Sequence, residues 1–362
     1  MTQDYKQRSY FSGVRMICAQ ISAILAGYLP KWIIDTIGGK DSPDTFLYMG
    51  IIFAGLFMVV LLVTYVFSWE READPAAPAA RKGSFLAGLV NLFRNIGSTL
   101  RIRAFRLHLG MYLGGYICQD IYNAAFTYFV AFVLGGSVMI AAELMGTMYF
   151  AQLVAVVAFI PLILWLQPAP SFRLASFLYA AAIVGLAALY HFRPANTMLL
   201  LYVPVLIAGL GRGGLNFIPW NIYNYIADVD EVVTGERREG VFSGVMIFTR
   251  KTAMAVAVML VGLIFDAGGL VKGATTQSVF TQHVITIVLV AGPLALLVFG
   301  VLVSLRFKLN KYTHAVLMAA IARFKGGDRT PANDQDKAIV EDLTGYSYDA
   351  LWGNNTVLGK KK

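Results

Sequence analysis

The residues able to do chemistry in this chain are charges set inside apolar runs. Asp120, Arg212 and the neighbours Arg250 and Lys251 lie within such runs, and Arg15 opens the first of them. The segment Asp228-Val-Asp-Glu-Val-Val-Thr-Gly-Glu-Arg-Arg-Glu-Gly240 concentrates charge between two others. A charge inside a membrane span costs on the order of 2.5–3.5 kcal/mol even on the mild insertion scale, so it should face a cavity or a partner. At roughly 1.5 Å of rise per residue, Asp120 and Arg212 both lie about 20 Å from the charged ends of their spans. Opposite charges at similar depth predict one shared cavity, with the two interacting directly or through solute. The alternative is that Asp120 is capped by Gln119 and Asn123 while Arg212 finds backbone carbonyls. Lys251 comes out about 15 Å deep by the same rise. Helix neighbours point about 100° apart, so one of Arg250 and Lys251 should turn inward. Arg15 reads either as an orientation-setting anchor or as a cavity residue. Trp220 either stacks on a solute ring or packs. All of this is reversible chemistry: ion pairing, hydrogen bonding and stacking.

Covalent and metal chemistry find no comparable pattern. Ser, His and Asp residues form no nucleophile arrangement. His108, His191, His283 and His314 are scattered without metal-ligand spacing and read as solvated or interfacial. Gly209-Leu-Gly-Arg-Gly-Gly214 resembles a phosphate-binding loop only superficially, since it follows no strand and lies in an apolar run. Glycines there predict close helix packing or a helix break around a site. No enzyme activity, metal or cofactor is expected.

The elements that must carry these residues are membrane-spanning helices. The chain has 362 residues, is 57% hydrophobic and 14% charged, and has a mean hydropathy of +0.63. A soluble domain carries roughly a quarter charged residues. About eight runs reach the roughly 20 apolar residues of a bilayer span. They cover 13–36, 45–69, 107–133, 141–166, 173–191, 197–226, 241–266 and 280–306. The runs are continuous and too long for strands, so the fold class is an all-α polytopic membrane protein. The two cysteines, Cys18 and Cys118, fall in apolar runs and suggest no disulfide framework.

The net charge of +9 resides in the joints between spans. That placement argues for orientation signals and against a nucleic-acid partner. Joints rich in cations, such as Arg71 to Arg106 and Arg237–Arg238, alternate with poor ones, such as Gly135 to Ala141. The positive-inside rule then puts both termini in the cytoplasm. Within the long joint 70–106, Phe85, Leu86, Leu89, Phe93, Ile96 and Leu100 recur at helical spacing. They fit either a helix at the membrane surface or a plain linker with a packing helix. The polar tail 307–362 carries one short helical stretch, Thr313 to Phe324, and is expected to be partly disordered.

Pro219-Trp220, the run ADVDEVVTGERREG and the following VFSGVMIFTRK resemble segments X to XI of the glycoside–pentoside–hexuronide:cation symporters, the melibiose-permease-like branch of the major facilitator superfamily. YKQRSYFSGVRM at the start and YFVAFVLGG at 128–136 resemble the entry to segment V and the end of segment VII. The resemblance implies a major facilitator-type bundle carrying segments V to XII, without the first four of the usual twelve. It implies residues 1–69 as the last two helices of an N-terminal bundle, 70–106 as a cytoplasmic linker, 107–306 as a C-terminal six-helix bundle and 307–362 as a cytoplasmic tail. Arg15 and Lys251 match positions near the sugar site and the polar cavity. With Asp120, Arg212 and Trp220 they form the expected substrate cavity. Asp228, Asp230, Glu231, Glu236, Arg237 and Arg238 match a loop that closes the cytoplasmic side.

The function so implied is alternating-access sugar:cation symport in a bacterial-type inner membrane. Coupling to Na+ or H+ is implied by the resemblance only, because the family's cation carboxylates lie on segments II and IV. Two other functions remain open from the sequence. One is a non-transporting membrane fragment or interaction protein; the other is a carrier of a non-sugar solute such as an organic anion or lipid.

Overall fold

The computed structural model describes residues 5–37, 43–68, 93 and 96–355. By internal contacts the chain divides into residues 1–18 with 91–362, and residues 19–90. Helix α1 (Tyr5–Ile37) runs through the boundary at Cys18. The smaller unit holds its later part and α2 (Pro43–Phe67), which starts on a proline and carries Asp44 in its first turn. Both suit a helix N-terminus, where proline costs no hydrogen bond and a carboxylate meets the positive end of the dipole.

The larger unit contains α3 (Arg103–Tyr128), α4 (Val138–Leu166), α5 (Pro168–Phe192), α6 (Tyr202–Thr234), α7 (Glu239–Ala267) and α8 (Val279–Leu305). Two shorter helices follow, α9 (Lys311–Lys325) and α10 (Asp334–Thr344). Among the described residues there is no strand. All eight predicted runs are helices of 25 residues or more. Length and composition alone qualify 6 as membrane spans. Helices α1 and α3 are long enough but too polar, α3 because it carries Arg103, Arg106, Gln119, Asp120 and Asn123.

Helix α6 lies against α4, α5 and α3, while α3 also packs on α7 and α8. The glycine cluster of α6 makes this possible. A Cβ on Gly209 would come within 2.4 Å of the Met148 carbonyl, and one on Gly213 within 2.4 Å of the Ala155 Cβ. Those two glycines, four residues apart, form the face against α4. Gly211 and Gly214, three apart, do the same against Tyr179 and Ala175 of α5. Without a hydrophobic drive between helices in lipid, close backbone approach supplies the dispersion that holds them. The helix is unbroken here, so the packing alternative holds and the break does not.

Two expectations are corrected. The charged segment from Asp228 is not a loop: α6 continues to Thr234 and closes on Gly235 in the left-handed region (φ 73°). The charges expected on a loop closing the cytoplasmic side include Asp228 and Asp230, which are fully buried on this helix with cationic partners. The tail is ordered through Asn355. Helix α9 opens with a reciprocal capping box between Asn310 and Thr313. Beyond α10 the chain returns to α6, where the Trp352 and Gly353 amides donate to the Val232 and Val233 carbonyls at 2.8 and 2.9 Å. A helix C-terminus leaves its last carbonyls without intrahelical partners, and here the tail supplies them. Trp352 stacks on Phe324 of α9, with ring centroids 5.4 Å apart. The predicted surface helix falls largely outside the described residues, with only Phe93, Ile96 and Leu100 inside them.

Candidate functional site

A polar track runs through the larger unit on matching stripes of α3 and α6. On α3, Tyr116, Asp120 and Asn123 recur at spacings of four and three, which places them on one face. On α6, Arg212, Asn216, Trp220, Asn224 and Asp228 recur every four residues. The stripes interlock. The Trp220 Nε1–H donates to the Tyr116 hydroxyl at 3.0 Å, and that hydroxyl donates to the Asn216 carbonyl at 3.3 Å. The Asn216 amide donates to Gln119 Oε1 at 3.0 Å.

Arginines punctuate this track. The Arg15 guanidinium stands 4.7 Å from the Trp220 ring centre, and that of Arg250 4.5 Å from Tyr116. Such cation–π contacts strengthen as water is excluded. Arg250 also donates to the Asp120 carboxylate at 3.2 Å. Deeper in the bundle, Arg212 donates to Gln152 Oε1 at 3.0 Å and to Asn123 Oδ1 at 2.8 Å. It also lies 5.4 Å from the Tyr149 ring centre. Arg212 is thus held by neutral amides and an aromatic face.

At one end the track opens into a cavity of about 530 Å³ between the first turns of α1 and the ends of α6 and α7. Arg8, Ser12, Arg15, Asn224, Arg237 and Glu239 contribute its polar lining, beside Phe11 and Tyr223. A dense ion network borders it. Asp228 contacts Arg8 at 2.6 Å, His314 at 2.8 Å and Arg237 at 3.1 Å. Arg238 pairs with Asp230 at 2.5 Å and reaches Ser98 at 3.0 Å. Glu231 joins Arg237 at 3.2 Å and Lys325 at 2.7 Å. The network ties α1, α6, the turn after it and α9 together. Since its members approach from separate elements, any movement of α1 against α6 must break the buried Arg8–Asp228 pair.

A sequence profile of MFS/sugar transport proteins matches residues 1–311. The chain belongs to this family. It is also 31% identical over 173 residues to an uncharacterized symporter of Synechocystis sp., a match covering 47% of this chain and 30% of that protein. The chain therefore spans less than a third of the length of the curated relative it matches. Family membership and the apolar helices make it an integral membrane protein.

Within this MFS/sugar transport protein, the structure brings most of the anticipated cavity residues together but rewires them. Asp120 pairs with Arg250, which the sequence had marked only through its neighbour, and not directly with Arg212. Helix α7 decides this, because it packs on α3 and presents Arg250 to Asp120. Arg212 instead reaches Asn123, one turn from Asp120 on the same face of α3. Lys251 is exposed on α7 and within electrostatic reach of Asp120. Trp220 packs between Arg15, Tyr116 and Tyr223. Of the anticipated gate charges, Asp228, Asp230, Glu231, Arg237 and Arg238 all enter the network. Glu236 is exposed and contributes its backbone, with its amide donating to Thr234 Oγ1 at 3.2 Å.

Two histidines correct the solvated reading. His108 is fully buried and its Nε2–H donates to the Pro219 carbonyl at 2.9 Å, while His314 is buried against Asp228. Arg8 and Lys325 were passed over as orientation cations. For Arg8 a signal existed: it lies seven residues before Arg15, which on a helix is the same face.

Proposed function

We propose that this chain acts in secondary active transport of a polar solute, of the sugar:cation symporter kind, by alternating access. The carrying observation is the continuous polar track from the cavity at Arg8 and Arg15, past Trp220, Tyr116 and Asp120, to Arg212, inside an otherwise apolar bundle. Polar side chains in a bundle are costly unless a solute or ion pathway uses them. Tyr116, Trp220, Asn216 and Asn123 offer the ring faces, hydroxyl and amides that a hydroxylated solute can exchange for water. The ion network beside the cavity would be the part that closes and opens, with the charged end facing the cytoplasm of a bacterial-type cell.

The track itself does not fit a coupling metal ion. Between Trp220 and Arg212 the one carboxylate among the described residues, Asp120, is held by Arg250, and Asp228 at the cavity end is held by Arg8, Arg237 and His314. Among the described residues no group of three or more His, Cys, Asp or Glu side chains is placed to hold a metal ion. Coupling to Na+ or H+ is part of the proposal through the family resemblance alone. The test is uptake of a panel of radiolabelled sugars into proteoliposomes holding the full chain, with and without Na+ and proton gradients. Gradient-dependent uptake that Trp220→Ala abolishes is expected; absence of any uptake by folded protein would overturn the reading in favour of a non-transporting interaction protein.

A further inference from the structure

Two hydrogen-bonded side-chain pairs join the first turns of α1 to the charged end of α6. Arg8 meets Asp228 Oδ2 at 2.6 Å, and the Ser9 and Tyr225 hydroxyls meet at 2.8 Å. Both α6 residues also touch one residue of the tail, His314 of α9. Its Nε2 lies 2.8 Å from the same Oδ2 that takes Arg8. Its ring meets the Tyr225 ring edge-on, with centroids 5.0 Å apart. His314 is 4% exposed, and Asp228 is fully buried. Arg237 stands 3.1 Å from the other carboxylate oxygen, Oδ1, which makes no hydrogen bond among the described residues. Of the other charged groups on and against α9, Glu231 holds Lys325 at 2.7 Å and Arg237 at 3.2 Å. Asp342 of α10 holds Lys308 at 3.2 Å and pairs with Arg103. Arg323 is within electrostatic reach of Tyr348, and Lys6 and Lys311 are exposed.

This arrangement matters when the cavity end opens. Withdrawing α1 takes Arg8 from Oδ2, and a buried carboxylate stripped of its partner is strongly destabilising. Among the described residues, His314 is then the one side chain hydrogen-bonded to Asp228. A neutral imidazole supplies a hydrogen bond without charge, whereas an imidazolium supplies both. Histidine is the side chain that ordinarily changes charge near neutrality. We propose that His314 is a proton-linked stand-in for Arg8: it takes up a proton as α1 withdraws, so acid favours the open cavity end. The sign follows from the charges. In the closed arrangement Arg8 and Arg237 already exceed the single charge of Asp228, and an imidazolium at the shared oxygen is repelled by Arg8. In the open arrangement the imidazolium replaces Arg8. The open form therefore binds the proton more tightly, and lower pH populates it. The proposal rests on the alternating-access reading and adds a proton dependence to it, supplied by the tail and not by the polar track.

The test is pulsed EPR on the full chain in lipid nanodiscs, with spin labels at Tyr10→Cys of α1 and Tyr312→Cys of α9 in a Cys18→Ser background. Both labelled positions are exposed, and the remaining Cys118 is buried. Two distances are expected, the longer one gaining at least about threefold in population from about pH 8 to about pH 6. Arg8→Gln should favour the longer distance at every pH, which identifies it as the open form. His314→Gln keeps a hydrogen-bond donor without a titratable ring and should flatten the pH dependence. His314→Arg, a fixed cation, should hold the open population at pH 8 where the unsubstituted protein has it at pH 6; it keeps the test informative if His314→Gln folds poorly. A pH dependence that survives His314→Gln, or an open population that falls on acidification, overturns the proposal. A pH-independent mixture of the two distances overturns it as well and leaves alternating access standing. A single distance at every pH, in Arg8→Gln too, counts against alternating access and this proposal together.

Discussion

Asp120 and Arg250 meet at 3.2 Å across α3 and α7, in helices whose other residues are mostly apolar. The pair is 11% and 19% exposed, so it is neither a surface ion pair nor a sealed one. It joins the helix that carries the polar stripe to the helix that carries Lys251. Whatever moves α7 against α3 must strain it.

Asp120→Asn and Arg250→Gln are each expected to lower stability by about 1.5–3 kcal/mol, the scale of a hydrogen bond to a charged group. The double variant should lose less than the sum. Thermal unfolding of the four proteins in one detergent gives the coupling energy directly; strict additivity would show that the pair does not form.

The α6 glycines predict position-specific intolerance. Gly213→Leu drives a side chain into Ala155 of α4, where even a Cβ would sit 2.4 Å away, and should cost about 1–3 kcal/mol or more. Gly262→Ala in α7 meets nothing within 4 Å and should be neutral or stabilising by up to about 1 kcal/mol. Comparable losses at the two sites would contradict the close α4–α6 crossing.

The ion network predicts a contrast between centre and rim. Asp228→Asn removes a fully buried carboxylate from Arg8, Arg237 and His314 and should cost about 3–5 kcal/mol. Lys325→Ala removes a side chain that is 58% exposed and should cost about 1 kcal/mol at most. Chemical unfolding midpoints at two salt concentrations separate them, since only the exposed pair should be screened appreciably.

Truncation after Gly345 takes away the amides that cap α6. The Val232 and Val233 carbonyls then lose their tail partners, at a cost of about 1–3 kcal/mol for each left buried and unpaired. Faster hydrogen exchange across the last turn of α6 is the expected signature. Unchanged protection would mean that the tail rests on α6 without stabilising it.

What could be read without coordinates divides cleanly by range of interaction. Long, mostly apolar runs mark all eight long helices, and six of them also qualify as membrane spans by length and composition, because burial in lipid is a property of each segment alone. Intramembrane charges mark Arg15, Asp120, Arg212 and Lys251 as candidates for the same reason: their cost is local. The Arg212, Asn216, Trp220, Asn224 and Asp228 stripe was equally local, and its four-residue spacing was legible but easily lost within an apolar run.

Pairing was not legible. Asp120 finds Arg250, 130 positions away, because α7 packs on α3 there; Asp228 finds Arg8 and His314 because α1 and α9 converge on the end of α6. The same convergence turns a segment expected as a loop into the buried end of a helix, and a polar tail into its cap. By itself the sequence determined that the chain is a set of membrane helices bearing a few expensive charges. Only the tertiary structure decided which charges cancel and which are left over, because a charge partner is chosen by proximity in space, and that proximity is set by helix packing.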